Sequence, residues 1–183
     1  MAYTITTPQM GWVQIANVDS GVLPPSAVSS GSTTYVPTPP LAAGMIIEAV
    51  DPTYGTAEFI LLAGVASTAV GSLVTYNTTS FTTALAPVGT NKPQPIAVAM
   101  SANTAATTWG WYQISGVAVA AKTATVSLAA GVAIGVKTIG LVAATGSGKE
   151  VQGALVAAVA SAATGRTTVQ VVINRPHMQG RIS

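Results

Sequence analysis

Cysteine is absent from the chain, and histidine occurs once, at His177. The first absence excludes disulfide staples and thiol chemistry, and it fits a protein made in a reducing cytoplasm. The second leaves no set of imidazoles for a zinc site, which needs three or four converging ligands. Charge is scarce too. Only 7 % of residues are ionised, against about a quarter in a typical soluble chain. The carboxylates are Asp19, Glu48, Asp51, Glu58 and Glu150. The cations (Lys92, Lys122, Lys137, Lys149, Arg166, Arg175 and Arg181) stand singly, so a sequence pI near 9.1 marks no stripe that could neutralise phosphates. Nucleic acid is not an expected partner.

Long apolar runs are missing as well. A mean hydropathy of +0.54 invites a membrane reading, yet a bilayer needs about 20 predominantly apolar residues in a row. The best stretch, Phe59 to Val74, is shorter and is broken by Gly64, Ser67, Thr68, Gly71 and Ser72. Membrane is therefore not an expected partner either. Met1-Ala2-Tyr3-Thr4 lacks the basic start and apolar run of a signal peptide. What remains is alanine and valine mixed with threonine, serine and glycine, which is a strand vocabulary.

The chain divides in composition near residue 44. Pro8, Pro24, Pro25, Pro37, Pro39 and Pro40 fall before that point, out of 11 prolines in all. Proline fixes φ and removes a donor, so residues 1–44 read as an extended arm. Trp12, Val13 and Ile15 are poor residues for a solvated tail and are expected to dock on something. Residues 45–183 read as a β-sandwich or barrel core with a short C-terminal tail. Strands are expected at 45–50, 57–63, 72–76, 94–101, 108–120, 123–128, 131–137, 151–161 and 167–174, with turn residues between them. Val169, Val171 and Ile173 alternate with Thr168, Gln170 and Val172, giving one buried face. Both faces of 151–160 are apolar, which places that strand centrally or under another chain. The expected fold is an all-β, antiparallel, jelly-roll-like sandwich or barrel.

Motifs that would carry chemistry fail on inspection. "ATGSGKE" (Ala144 to Glu150) approaches a phosphate loop, but Ala143 stands where the first glycine belongs and Glu150 where the hydroxyl belongs. It reads as a polar hairpin tip. Glu48, Asp51 and Glu58 flank one turn, where carboxylates could in principle cleave glycosides or hold calcium. A charged loop tip is the plainer reading. His177, in "NRPHMQGRIS", reads as part of a polar tail. No catalytic residue, metal site or cofactor is expected.

"TTWGWYQISG" concentrates the aromatic residues. In a strand Trp109 and Trp111 share one face and Tyr112 takes the other. Such rings anchor a core, an interface, or a sugar platform, and the last normally brings acidic partners that are not visible here. The candidate contact residues are Trp12, Val13, Ile15, Trp109, Trp111, Tyr112, Arg175 and His177.

"KPQPIAVAMSAN…TTWGWYQISGVAVAAKT", followed by "SLAAGVAIGVKT…GLVAAT" and "VVINRP", resembles the head decoration, or cement, proteins of tailed bacteriophages, over about Ala57 to Pro176. The resemblance implies a virion protein on the capsid exterior, assembled in the host cytoplasm. Its partners would be the major capsid protein and further copies of itself, with a trimer favoured. It carries no catalytic residues. Other expectations from the same residues are a tail-tube or fibre-base subunit, or a carbohydrate- or receptor-binding module using Trp109 and Trp111.

Overall fold

The computed structural model describes residues 4–5, 23, 41–89, 93–162 and 167–180. The described residues form strands and turns with no helix. In chain order the strands are β1 (Thr4–Ile5), β2 (Ile46–Asp51), β3 (Gly55–Ala63), β4 (Leu73–Tyr76), β5 (Thr83–Leu85) and β6 (Ile96–Ala99). They continue with β7 (Trp109–Lys122), β8 (Ala133–Thr138), β9 (Leu141–Ala144), β10 (Glu150–Val156) and β11 (Thr167–Met178). The all-β barrel expected from the residues is present.

One circuit of strands runs β7–β11–β10–β8–β9 and returns to β7. The closing contact pairs Lys122 with Val142 in parallel, so the barrel is mixed rather than purely antiparallel. Its interior is filled by Ala118, Ala120, Ile134, Val136, Val142, Val151 and their neighbours on β10 and β11. Barrel width scales with strand number, and an eight-stranded barrel is just wide enough to be filled by side chains. A circuit of five admits mainly alanine and valine. The small-residue composition thus has a packing cause inside the chain itself.

A second ring shares β7. Its N-terminal half pairs with β3 on one edge and β6 on the other, then β6 pairs with β4 and β4 with β5. Ala63 N donates to Phe81 O at 3.0 Å, next to β5, which brings the ring back to β3. Inside lie Ile60, Leu62, Val74, Ala97, Tyr112 and Ile114. The outer face of β2, β3 and β7 carries a third cluster, built on Ile47, Phe59, Leu61, Trp109 and Trp111, with Leu23 and Leu41 packed against it. Leu23 also exchanges backbone hydrogen bonds with Trp109, at 2.7 and 3.0 Å, and β1 pairs with β2. Each described piece of the segment 1–44 is therefore tied to the core. Trp12, Val13 and Ile15 lie outside the described residues.

Two expected features differ. Residues 123–127 form a turn instead of a strand, because Lys122 Nζ, on a side chain 1 % exposed, donates to the carbonyls of Thr123 and Val126 and curls the chain at the barrel end. The "ATGSGKE" turn joins β9 to β10, which flank β8 on opposite sides, so it is a crossing connection and no hairpin tip. The short strands β5 and β9 had not been expected at all. Their three and four residues are too few to show a period.

Passage of β7 from one ring to the other depends on Gly116. The register with β3 shifts just before it, between Gln113 and Ser115, and Gly116 has φ +93°. A Cβ at this position would lie 2.7 Å from Thr56 O. Gly55 at the β2–β3 turn also has positive φ, +74°, but open space around it. Gly116→Ala should therefore cost clearly more than Gly55→Ala, for which the backbone conformation alone costs about 1–2 kcal/mol. Urea denaturation of the two variants checks the order, and equal costs would mean that the close approach to Thr56 is unimportant.

Candidate contact surface

The aromatic residues of β7 are used inside the chain. Trp109 is 6 %, Trp111 2 % and Tyr112 1 % exposed. The core-anchor reading describes their position, with the indoles on one face of the strand and the phenol on the other, as alternation requires. The phenol is held by a buried polar centre at Asn103, which is fully buried. In the amide orientation that satisfies its neighbours, Asn103 accepts from Gly64 N (3.1 Å), Gly110 N (3.2 Å) and Tyr112 Oη (3.3 Å) and donates to Thr108 Oγ1 (2.6 Å). Burial pushes the Tyr112 hydroxyl up to about 12.

Arg175 and His177 belong to β11, which extends to Met178. The polar-tail reading of His177 is thereby corrected. Proline normally ends a strand, but Pro176 sits where the β10–β11 register shifts between Gln152 and Ala154, and the ladder resumes with His177 opposite Gln152. His177 also bridges to Pro95, with its side chain exposed. Arg175 adopts φ +43° within this irregularity. From there its guanidinium makes two bonds to Glu58, Nη2 to Oε1 at 3.1 Å and Nε to Oε2 at 3.3 Å. Glu58 stands directly opposite Glu48 on β2, so Arg175 offsets a pair of like charges. The pair is solvent-exposed and adds little to stability.

The carboxylates near Asp51 do not converge. Asp51 Oδ1 accepts from Thr53 N (2.7 Å) and Tyr54 N (3.0 Å), capping the β2–β3 turn. Glu48 and Glu58 lie on the strands beyond it. Among the described residues no group of three or more His, Cys, Asp or Glu side chains could hold a metal. Among them, too, no helix is long and apolar enough to cross a membrane.

What the folded chain does present is an uncharged patch on the outside of the closed barrel. Cross-strand register places Ala133 beside Leu155, Leu155 beside Val172, and Val172 beside Val117. All four point outward, since Ile134, Val156, Val171 and Ala118 point in. Leu155 is 49 % and Val172 46 % exposed. At one margin Gln170 Nε2 donates to Tyr54 Oη at 3.1 Å. The sequence held one signal for this surface, the apolar character of both faces of 151–160, and β10 does lie centrally, between β11 and β8. Val172 was grouped with the polar face of β11 and passed unnoticed.

Neither a known family model nor a curated protein matches this chain.

The buried phenol makes a pH prediction. The unfolded chain begins to lose its tyrosine protons near 10.0, whereas Tyr112 in the folded chain keeps its proton to about 12. Tyr76 is shifted upward too, by burial. Above the lower value the unfolded state binds fewer protons, so stability is full below it and falls as pH rises toward the upper one. For Tyr112 the loss amounts to roughly 2–3 kcal/mol. Denaturant melts across this range should show a shallower decline in Tyr112→Phe than in the parent. An unchanged decline would place the titration elsewhere.

Proposed function

We propose that this chain is a structural virion protein that binds the outside of a mature phage capsid and stabilises it, a decoration or cement protein without catalytic activity. The reading joins the sequence resemblance to one structural observation, the outward row Ala133–Leu155–Val172–Val117. An uncharged apolar sheet face costs little to desolvate and gains from being covered. A narrow, closed barrel behind it keeps the face rigid, so little entropy is lost on docking. The major capsid protein is the proposed partner, with further copies of this chain around a symmetry axis and a trimer as the arrangement the resemblance favours.

Stabilisation follows from mass action. A protein that binds the expanded shell and not its broken form raises the free energy needed to open it. Repetition over a symmetric shell makes modest contacts add up through high effective concentration.

The test uses Leu155→Glu and Val172→Lys, both at outward positions that leave the barrel interior untouched. Each variant should melt like the parent, and its occupancy on expanded, undecorated heads should drop about tenfold or more, as a loss of 1.4 kcal/mol per site dictates. Normal occupancy by both variants would remove this face from the docking contact. Failure of the parent chain itself to add to expanded heads would remove the proposed function.

A further inference from the structure

Beside the β4–β5 hairpin lies a groove of about 420 Å³, well away from the barrel row in the strand order. Its wall is built by Tyr76, Asn77, Thr78, Thr79 and Thr82, with Gln94 on the other side. Every described residue lining it is uncharged, and Ala84 and Pro95 complete the lining. That volume falls within the usual range of small-molecule sites.

The wall is held in a fixed shape. Asn77 Oδ1 accepts from Thr79 N (2.7 Å) and Ser80 N (3.0 Å), and Ser80 and Thr82 share a hydroxyl–hydroxyl bond of 2.9 Å. Phe81 closes the turn at φ +55°, a conformation costly for an aromatic residue. Strain of this kind persists only where surrounding structure enforces it, and it concentrates at functional positions. Here the enforcement comes from Phe81 O accepting from Ala63 N, Phe81 N donating to Asn77 O at 2.9 Å, and the ring lying against Gly44. The chain thus accepts strain beneath a wall whose outer residues, Asn77, Thr78 and Thr79, face solvent.

The geometry points to a binding site for a neutral carbohydrate in this groove, separate from the capsid-docking face. The chemistry of the lining decides the class. No ionised side chain lines the groove among the described residues; the Arg175 guanidinium, which acts on Tyr76 from outside the lining, is already paired with Glu58, so the wall itself suits an uncharged ligand. Hydroxyls and carboxamides donate and accept in the same place, which matches the donor–acceptor character of sugar hydroxyls. The Tyr76 ring, half-buried, and the threonine methyls supply apolar contact for sugar C–H faces. The earlier sugar-platform reading of Trp109 and Trp111 has no support here, since both indoles are buried.

An open groove implies weak binding, with a Kd of about 1 mM. The experiment is an amide chemical-shift titration of the full chain with glucose, galactose and N-acetylglucosamine, their disaccharides, and sialic acid as the charged comparison. The expected result is saturable shifts at 75–84 and 94–95 with at least one neutral sugar. Thr79→Val, at an exposed position, should weaken binding roughly fivefold, the equivalent of one neutral hydrogen bond, and Tyr76→Ala should weaken it further. Because Tyr76→Ala also removes core contacts, Thr79→Val carries the test if the former unfolds. The site is overturned by no saturable shift up to roughly fifty times that Kd, by shifts that map elsewhere, by unchanged binding in Thr79→Val, or by tighter binding of sialic acid than of any neutral sugar.

Discussion

Strand β7 is the member on which the rest of the molecule depends. Its 14 residues are hydrogen-bonded along both edges, first to β3 and β6, then to β11 and β9. Each ring of strands closes only because β7 serves as a wall of both. The interiors they enclose are different. The ring with β3 and β6 is wide enough for Tyr112, Ile60 and Leu62, whereas the five-stranded circuit is packed with alanine, valine and isoleucine. Closure also leaves the strands within the five-stranded circuit without an open edge, of the kind that otherwise invites pairing with other chains.

The narrowness of that barrel accounts for much of what is unusual in the composition. Ala118, Ala120, Ala154, Val136, Val142, Val156 and Val171 are small because walls so close together leave room for only a few larger side chains, such as Ile134 and Ile173. The scarcity of charge is a separate matter. Outward positions on β10 and β11 include Leu155 and Val172, apolar side chains where an exposed sheet face commonly carries charged ones. Low charge in the interior is ordinary; on the outer face it leaves Leu155 and Val172 as apolar surface.

Two buried polar side chains among the described residues hold junctions of the fold. Asn103 joins the Gly64 and Gly110 backbones to the Tyr112 hydroxyl, and Lys122 holds the turn at the barrel end. Both lie where β7 begins or ends its contacts with other elements. Buried hydrogen bonds of this kind add specificity of arrangement, since leaving one partner unpaired costs about 1–3 kcal/mol. Among the described residues the one salt bridge, Arg175 with Glu58, is exposed and serves mainly to offset Glu48 beside Glu58.

Local pattern in the chain was enough to specify strands as the building material, the buried face of Val169, Val171 and Ile173, and the opposite orientation of Trp109 and Tyr112. These follow from a period of two, which is a property of consecutive residues. Strands as short as β5 and β9 carry no readable period, and Pro176 concealed the continuation of β11 through His177. Tertiary structure alone decided that β7 belongs to two rings, that the tryptophans on its outer face are covered by Leu23 and Leu41, and that Ala133, Leu155, Val172 and Val117 line up in one outer row. The physical reason is range: alternation is set by neighbours along the chain, whereas register and ring closure join residues far apart in it, and only the folded backbone brings their hydrogen-bonding groups together.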